Sequence, residues 1–211
     1  TSYDFWLTET CPAGNSLSIG PVSATTALLV SSFPYCQTFE SFATCATVCA
    51  TPCAFPPTSG WQQVVGGTDW LTDIGGTPTA ATGPTIDHTL GTAAGKYVYL
   101  ETNTACQAQA AVMLSPLFDV SSMVNDPVLR FWYHMFGAGM GRLTVEVEDP
   151  AGSNNWITVF QRLGNGQATQ ASPWINVAVP PSGQSGTDLR ARPTGQAIGG
   201  FTSDMALDDI C

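Results

Sequence analysis

Residues 143–148 read Leu-Thr-Val-Glu-Val-Glu, and residues 129–135 read Leu-Arg-Phe-Trp-Tyr-His-Met. In the first run Leu143, Val145 and Val147 fall on one side and Thr144, Glu146 and Glu148 on the other. That period of two is the mark of a strand with one face buried and one wet. The second run alternates aromatic and aliphatic residues in the same way. Outward from these two, the habit recurs at Lys96–Glu101, Trp156–Gln161 and Trp174–Val179. Turn clusters separate them: Asp149-Pro150-Ala151-Gly152, Gly164-Asn165-Gly166 and residues 180–186. No long stretch combines helical periodicity with good caps. Short strands divided by Gly and Pro turns predict an all-β fold, a sandwich of two antiparallel sheets.

A chain of 211 residues supports one good-sized core and is short for two ordinary domains with a linker. It carries 16 acidic and 6 basic residues, for a net charge of −10. The basic residues (Lys96, Arg130, Arg142, Arg162, Arg190, Arg192) are scattered, which argues against a phosphate-binding surface for nucleic acid. An apolar content of 44% predicts a packed core rather than disorder. No apolar run approaches a membrane span. The absence of a starting Met and of a signal peptide reads as a mature, secreted product.

The seven cysteines are Cys11, Cys36, Cys45, Cys49, Cys53, Cys106 and Cys211. Four of them follow the spacing Cys-x8-Cys-x3-Cys-x3-Cys. Zinc sites favour CxxC-type pairs, so disulfides in an oxidising, extracellular or cell-surface setting are the better reading. An odd count leaves one cysteine free or joined to another chain, and spacing does not fix the pairs. Residues 1–35 form an extension ahead of the main domain at 36–211. Residues 66–95 are rich in Gly, Thr and Pro with little periodicity, the kind of long irregular stretch that is functional or held by a ligand.

From Cys36 onward the chain resembles the MAM domain, the extracellular module of meprins, neuropilins and receptor tyrosine phosphatases, also present in secreted bacterial proteins. The matching pieces occur in order: Phe39-Glu40 after Cys36; Asp69-Trp70; Gly75-Gly76-Thr77-Pro78; Thr82-Gly83-Pro84; Asp87-His88-Thr89; Gly95 through Glu101; Leu114-Ser115-Pro116; Leu129 through Met135; Gly141-Arg142-Leu143; and Ala206-Leu207-Asp208-Asp209-Ile210. Trp156 and Trp174 also have counterparts. The resemblance implies a jelly-roll sandwich and non-catalytic adhesion or recognition. Two departures stand out. Val128 occupies a place where the family often has cysteine, and Cys49, Cys53, Cys106 and Cys211 lack clear counterparts. The expected links are Cys36–Cys45 or Cys36–Cys49, with Cys211 stapling the final strand to another segment.

The sharpest chemical expectation is a structural calcium site. Calcium takes six to eight oxygen ligands and tolerates irregular loops. Glu40, Asp69, Asp87, Asp208 and Asp209 lie in segments that the resemblance brings together. Beside core motifs in so carboxylate-poor a chain, they need partners that six basic residues are too few to supply. The competing reading has them capping turns by accepting backbone N–H groups.

Catalysis has little support. His134 reads as a hydrogen-bonded sheet residue, and Asp87-His88 is a single adjacent pair rather than a triad. HExxH, Gly-x-Ser-x-Gly, P-loop and strand-flanked GxGxxG patterns are all missing. Trp61, Trp70, Trp132, Trp156 and Trp174 are expected between the sheets rather than on a sugar-binding platform. Tyr3, Phe5 and Trp6 are expected to pack on this domain or a neighbour.

The apolar segment from Thr25 to Phe33 (Thr25, Leu28, Leu29, Val30, Phe33) is an arm suited to pairing with a sheet edge. On its own domain it would be an extra edge strand; on the next subunit it would build a fibre by strand addition. The resemblance therefore implies an adhesion or recognition module for a surface protein, a glycan or a copy of itself, expected to hold calcium. A fibre subunit is the alternative, and an accessory domain of a larger secreted enzyme a third.

Overall fold

The computed structural model describes residues 2–9, 17–25, 27–103, 106–180 and 188–211. The strands, in chain order, are β1 (Ser2–Glu9), β2 (Leu17–Thr25), β3 (Leu29–Val30), β4 (Gln62–Gln63), β5 (Leu71–Ile74), β6 (Lys96–Leu100), β7 (Ala110–Leu114), β8 (Leu117–Asp119), β9 (Leu129–Met135), β10 (Arg142–Glu148), β11 (Trp156–Leu163), β12 (Ile175–Val179), β13 (Asp188–Gln196) and β14 (Met205–Asp208). One sheet runs β12-β9-β14-β6-β5. The other runs β11-β10-β13-β7-β4, with β8 beside the start of β13 and β3 beside β8. β1 and β2 pair with each other as a two-stranded antiparallel sheet. The expected two-sheet sandwich is the architecture found.

Alternation explains which residues meet between the sheets. Leu143, Val145 and Val147 are buried, as their period of two predicts, and β13 lays Leu189, Ala191 and Gly195 beside them. From the facing sheet come Phe131, Tyr133, Val98, Leu100, Met205 and Leu207. The Phe160 ring lies 5.3 Å from Phe131 and 5.6 Å from Tyr133, joining the layers. Gly195 is required where it stands: a Cβ there would come within 3.0 Å of the Trp70 ring.

The tryptophan expectation holds for Trp61 and Trp70, which are fully buried. It fails for the others. Trp156 lies on the outer side of β11, with the Arg192 guanidinium 3.9 Å from its ring centroid, while Trp132 and Trp174 are half-buried against His88. Trp6 is exposed, and the side chains of Tyr3 and Phe5 lie outside the described residues.

Six cysteines form three disulfides: Cys36–Cys211, Cys45–Cys53 and Cys49–Cys106. Cys11 lies outside the described residues. The expected link from Cys36 to Cys45 or Cys49 is therefore corrected. Gln37 and Ile210 exchange backbone hydrogen bonds of 2.8 and 3.0 Å, and this bridge sets Cys36 beside the last residue. The staple on Cys211 is as expected, and it closes a separation of 175 residues.

The arm pairs with its own domain. Leu29 and Val30 lie parallel to Leu117 and Phe118, Leu117 N–H donates to Leu28 O at 2.9 Å, and the Phe33 ring packs 6.4 Å from Phe118. Thr25 ends β2.

Replacing Cys36 and Cys211 together by Ser should lower the unfolding free energy by about 2–5 kcal/mol, because the link restrains nearly the whole chain in the unfolded state. Urea denaturation of the purified protein measures this, and a loss below about 1 kcal/mol would contradict it.

Candidate functional site

The centre of the five-stranded sheet is covered on both faces, while Arg130, Asn176 and Ala178 leave its β12 edge exposed on the outward side. Phe131, Tyr133 and Met205 point into the sandwich, so their neighbours Trp132, His134, Ala206, Asp208, Tyr97 and Tyr99 turn the opposite way. The irregular stretch after β5 lies across that outward face as a strap. Tyr97 OH donates to Gly75 O (2.9 Å) and Thr79 Oγ1 to Glu101 Oε1 (3.1 Å). Thr82 Oγ1 donates to Phe136 O and accepts from Asp204 N–H, each at 2.9 Å. Gln170 and Trp174 clamp the strap from outside through Thr82 O (2.7 Å) and Ile86 O (3.0 Å).

Three of the expected metal residues meet at the strap's far end. Asp87 caps its own turn, accepting from Leu90 N–H (2.6 Å) and Thr92 N–H (2.9 Å). Asp208 Oδ2 accepts from His88 N–H (2.9 Å) and Thr89 N–H (3.2 Å), and its Oδ1 from Asp209 N–H (2.8 Å). Asp209 meets His88 Nδ1 at 2.5 Å and accepts from Thr89 Oγ1 at 2.7 Å. His88 in turn stacks on Trp132 with ring centroids 4.3 Å apart. Burial, with the Asp209 charge beside it, raises the Asp208 carboxyl to about 7 despite the N–H groups it accepts.

The two other expected ligands serve neighbouring segments. Glu40 Oε1 accepts from Lys96 N–H (2.9 Å), while the single lysine spends its ammonium on Glu40 O and Phe42 O, both at 2.8 Å. Gly95 must be glycine, because a Cβ there would overlap the Asp87 carboxyl. Asp69 accepts from Cys53 N–H (2.8 Å) in the disulfide-closed loop. Each of the five carboxylates thus has an oxygen committed to backbone N–H or to a side chain. Among the described residues no three His, Cys, Asp or Glu side chains are grouped to hold a metal ion.

A second acidic pair lies under the strap and was not among the sequence candidates. Met205 pairs with Leu100, which sets Asp204 opposite Glu101 one residue further on. Both are buried, at 0% and 1% exposure. Asp204 Oδ1 accepts from Thr102 N–H (3.0 Å) and Thr102 Oγ1 (2.9 Å), and Glu101 Oε1 from Thr79. Glu101 Oε2, Asp204 Oδ2 and the Tyr99 hydroxyl lack well-formed hydrogen bonds, although Tyr99 faces Glu101 and Thr77 faces Asp204. Burial raises Glu101 to about 7, with Asp204 adding to it, and burial raises Asp204 to about 6. The available signal was Glu101 itself, a carboxylate closing an otherwise apolar strand run.

On the other side of the molecule, Phe33, Tyr35, Phe118, Val120, Met123 and Val128 line an apolar groove of about 450 Å³. Arg130 and Arg190 also line it. Arg130 is exposed, whereas Arg190 donates to Ser115 O at 3.1 Å.

The chain matches the MAM domain, meprin/A5/mu, over residues 39–211. It is 31% identical to mouse (Mus musculus) MAM domain-containing protein 2 over 175 residues, 77% of this chain and 24% of that protein. It is 38% identical to Neuropilin-1a of Danio rerio over 91 residues, 43% of this chain and 9% of that protein. It thus spans a quarter or less of these relatives. Among solved structures, the K2 cleaved adhesin domain of Lys-gingipain superposes with a TM-score of 0.52 at 17% identity, covering 83% of this chain and 95% of that one. The K3 domain from Porphyromonas gingivalis gives 0.50 at 14% identity, covering 84% and 96%. At these identities the likeness is one of fold.

The strap makes one pH dependence specific. Burial lowers the His134 imidazole from 6.5 to about 4, so the unfolded chain takes up that proton first. The stability from keeping His134 neutral is present above about pH 6.5 and lost as pH falls through about 4, a contribution on the order of 3 kcal/mol. The raised Glu101, Asp204 and Asp208 act with the opposite sign, losing stability as pH rises. Urea titrations at pH 7, 5.5 and 4 should therefore show the unmodified protein losing more on acidification than His134→Gln; parallel profiles would contradict a buried, neutral His134.

Proposed function

This chain belongs to the MAM domain family, and we propose that it is an extracellular recognition module whose ligand is a protein surface presenting apolar side chains beside carboxylates. MAM domains are adhesion and recognition modules, typically non-catalytic, and the three disulfides accord with an extracellular location. The observation that carries the finer reading is the apolar groove that two arginines help to line. In a chain of net charge −10 with six basic residues, two of them at one apolar opening form a distinct local pattern. A glycan site would instead need several convergent polar groups beside its aromatic faces. Burial of apolar side chains supplies affinity, and an exposed arginine in its lining supplies orientation and association rate. A structural calcium ion also belongs to this proposal.

The test displays the multimerised domain against a random peptide library and a defined glycan array. Peptides that combine aromatic or aliphatic residues with Asp or Glu should be enriched. Val128→Asp and Arg130→Glu, both at exposed positions, should each weaken that binding at least 10-fold with the melting temperature nearly unchanged. Enrichment of glycans alone would overturn the reading, as would peptide binding indifferent to both substitutions. Light scattering adds a third outcome: concentration-dependent growth abolished by Val128→Asp would make the occupant a second copy of this chain.

A further inference from the structure

We propose that the partner of the apolar groove is the β1–β2 hairpin of a second copy of this chain, with Trp6 as the side chain the groove seats. This rests on the recognition reading of the groove and names its ligand. Among the described strands β1 and β2 pair only with each other, as a sheet separate from both layers of the sandwich. A two-stranded hairpin with nothing packed on it is at best marginally stable in water. Its Trp6 is 61% exposed, whereas the five other tryptophans are buried or half-buried. β1 reads Ser-Tyr-Asp-Phe-Trp-Leu-Thr-Glu, with Tyr3, Phe5, Trp6 and Leu7 set among two carboxylates, and residues 1–25 hold no Lys or Arg. That composition complements an apolar groove whose lining includes the exposed Arg130. At about 450 Å³ the groove has room for an indole, and tryptophan and arginine are the residues on which interface energy concentrates.

The hairpin does not occupy its own groove. No residue of β1 or β2 lines it, although β2 ends at Thr25 and β3 begins at Leu29, a span of at most about 14 Å of extended backbone. So short a connection restricts how the hairpin folds back on its own domain, the condition under which an element is exchanged with a neighbouring copy. Each chain carries one hairpin and one groove at different places, so the contact is heterologous: two copies satisfy each other reciprocally, or copies extend head to tail. The hairpin also precedes the stretch, 39–211, that matches the family, so the contact belongs to this chain rather than to the fold.

The experiment is sedimentation of the full chain from about 1 to 200 μM, a range that spans ordinary self-association. Every sample carries Cys11→Ser: the other six cysteines pair among themselves, and the substitution keeps a disulfide at 11 from imitating the contact. The average mass should rise with concentration. Trp6→Lys and Val128→Asp should each weaken association about 10-fold or more, with melting temperatures nearly unchanged. Mixed in equal amounts, these two variants should form a one-to-one complex, because the first keeps the groove and the second keeps the hairpin. Trp6→Phe should retain part of the association, which loss of the hairpin fold would not allow. A monomer at every concentration overturns the inference, and the groove reading survives it if acidic, aromatic peptides still bind. Association that either Trp6→Lys or Val128→Asp leaves intact also overturns it. Should Val128→Asp change neither peptide binding nor association, both readings fall together.

Discussion

The structure depends on one constraint: over β6 and β14 and the middle of β9, the five-stranded sheet is buried on both faces. An antiparallel sheet ordinarily buries one side and hydrates the other, which gives the apolar and polar alternation of its strands. Here the side turned from the sandwich carries Tyr97, Tyr99, His134, Asp204 and Asp208, all buried. A face of that composition cannot be covered by an apolar layer without stranding its polar groups. It is covered by an irregular backbone segment instead, because peptide N–H and C=O groups are the partners such side chains need. Asp208 accepts from His88 N–H and Thr89 N–H, Tyr97 donates to Gly75 O, and the 82–83 turn bonds Phe136 O from Thr82 Oγ1 and Gly83 N–H.

Those bonds work in both directions. A strap without regular structure brings orphaned N–H groups, and a carboxylate acceptor is worth about 1.5–3 kcal/mol for a hydrogen bond to a charged group. Asp87 meets this need inside the strap and Asp208 meets it from the sheet. The scarcity of lysine and arginine follows the same logic: these acids are paired with backbone donors, so few basic side chains are needed. Lys96 obeys the rule with the sign reversed, its ammonium held by Glu40 O and Phe42 O.

How much of this was legible in the sequence varies by element. The strands at 96–100, 129–135, 142–148, 156–163 and 175–179 follow runs whose large side chains alternate visibly. β13 alternates as strictly, burying Leu189, Ala191, Pro193 and Gly195 between the half-buried Arg190, Arg192 and Thr194, yet three of those four buried residues carry small side chains or none to signal a core. A glycine that makes room for Trp70 reads as a turn until Trp70 is placed. The acids at 87, 208 and 209 could be singled out as buried groups in need of partners. Asp87 finds its partners three and five residues on, but those of Asp208 and Asp209 lie about 120 residues away in the chain. Glu101 and Asp204 escaped notice because register, not spacing, sets them opposite one another. The disulfides were misassigned for a similar reason: Cys36 is nearest Cys45 along the chain but nearest Cys211 across the Gln37–Ile210 bridge.

The strap also withdraws the centre of one outer sheet face from solvent, while the outer face of the other sheet stays open, as at Trp156 and Arg192. The apolar groove lies elsewhere, where β3 adds to β8 and the chain ends. Its walls are not loose: Ile210 and Cys211 line it, held by the Cys36 disulfide and by reciprocal Arg130–Cys211 backbone bonds of 2.8 and 2.7 Å. Fixing both ends of the domain against one strand preorganises that edge, which lowers the entropy a partner must supply on binding. The short β3 pairs the open side of β8 and becomes the edge of that sheet itself. The slot is thus a rigid apolar surface that Arg130 helps to line, and the strap and its buried acids hold the neighbouring sheet in shape.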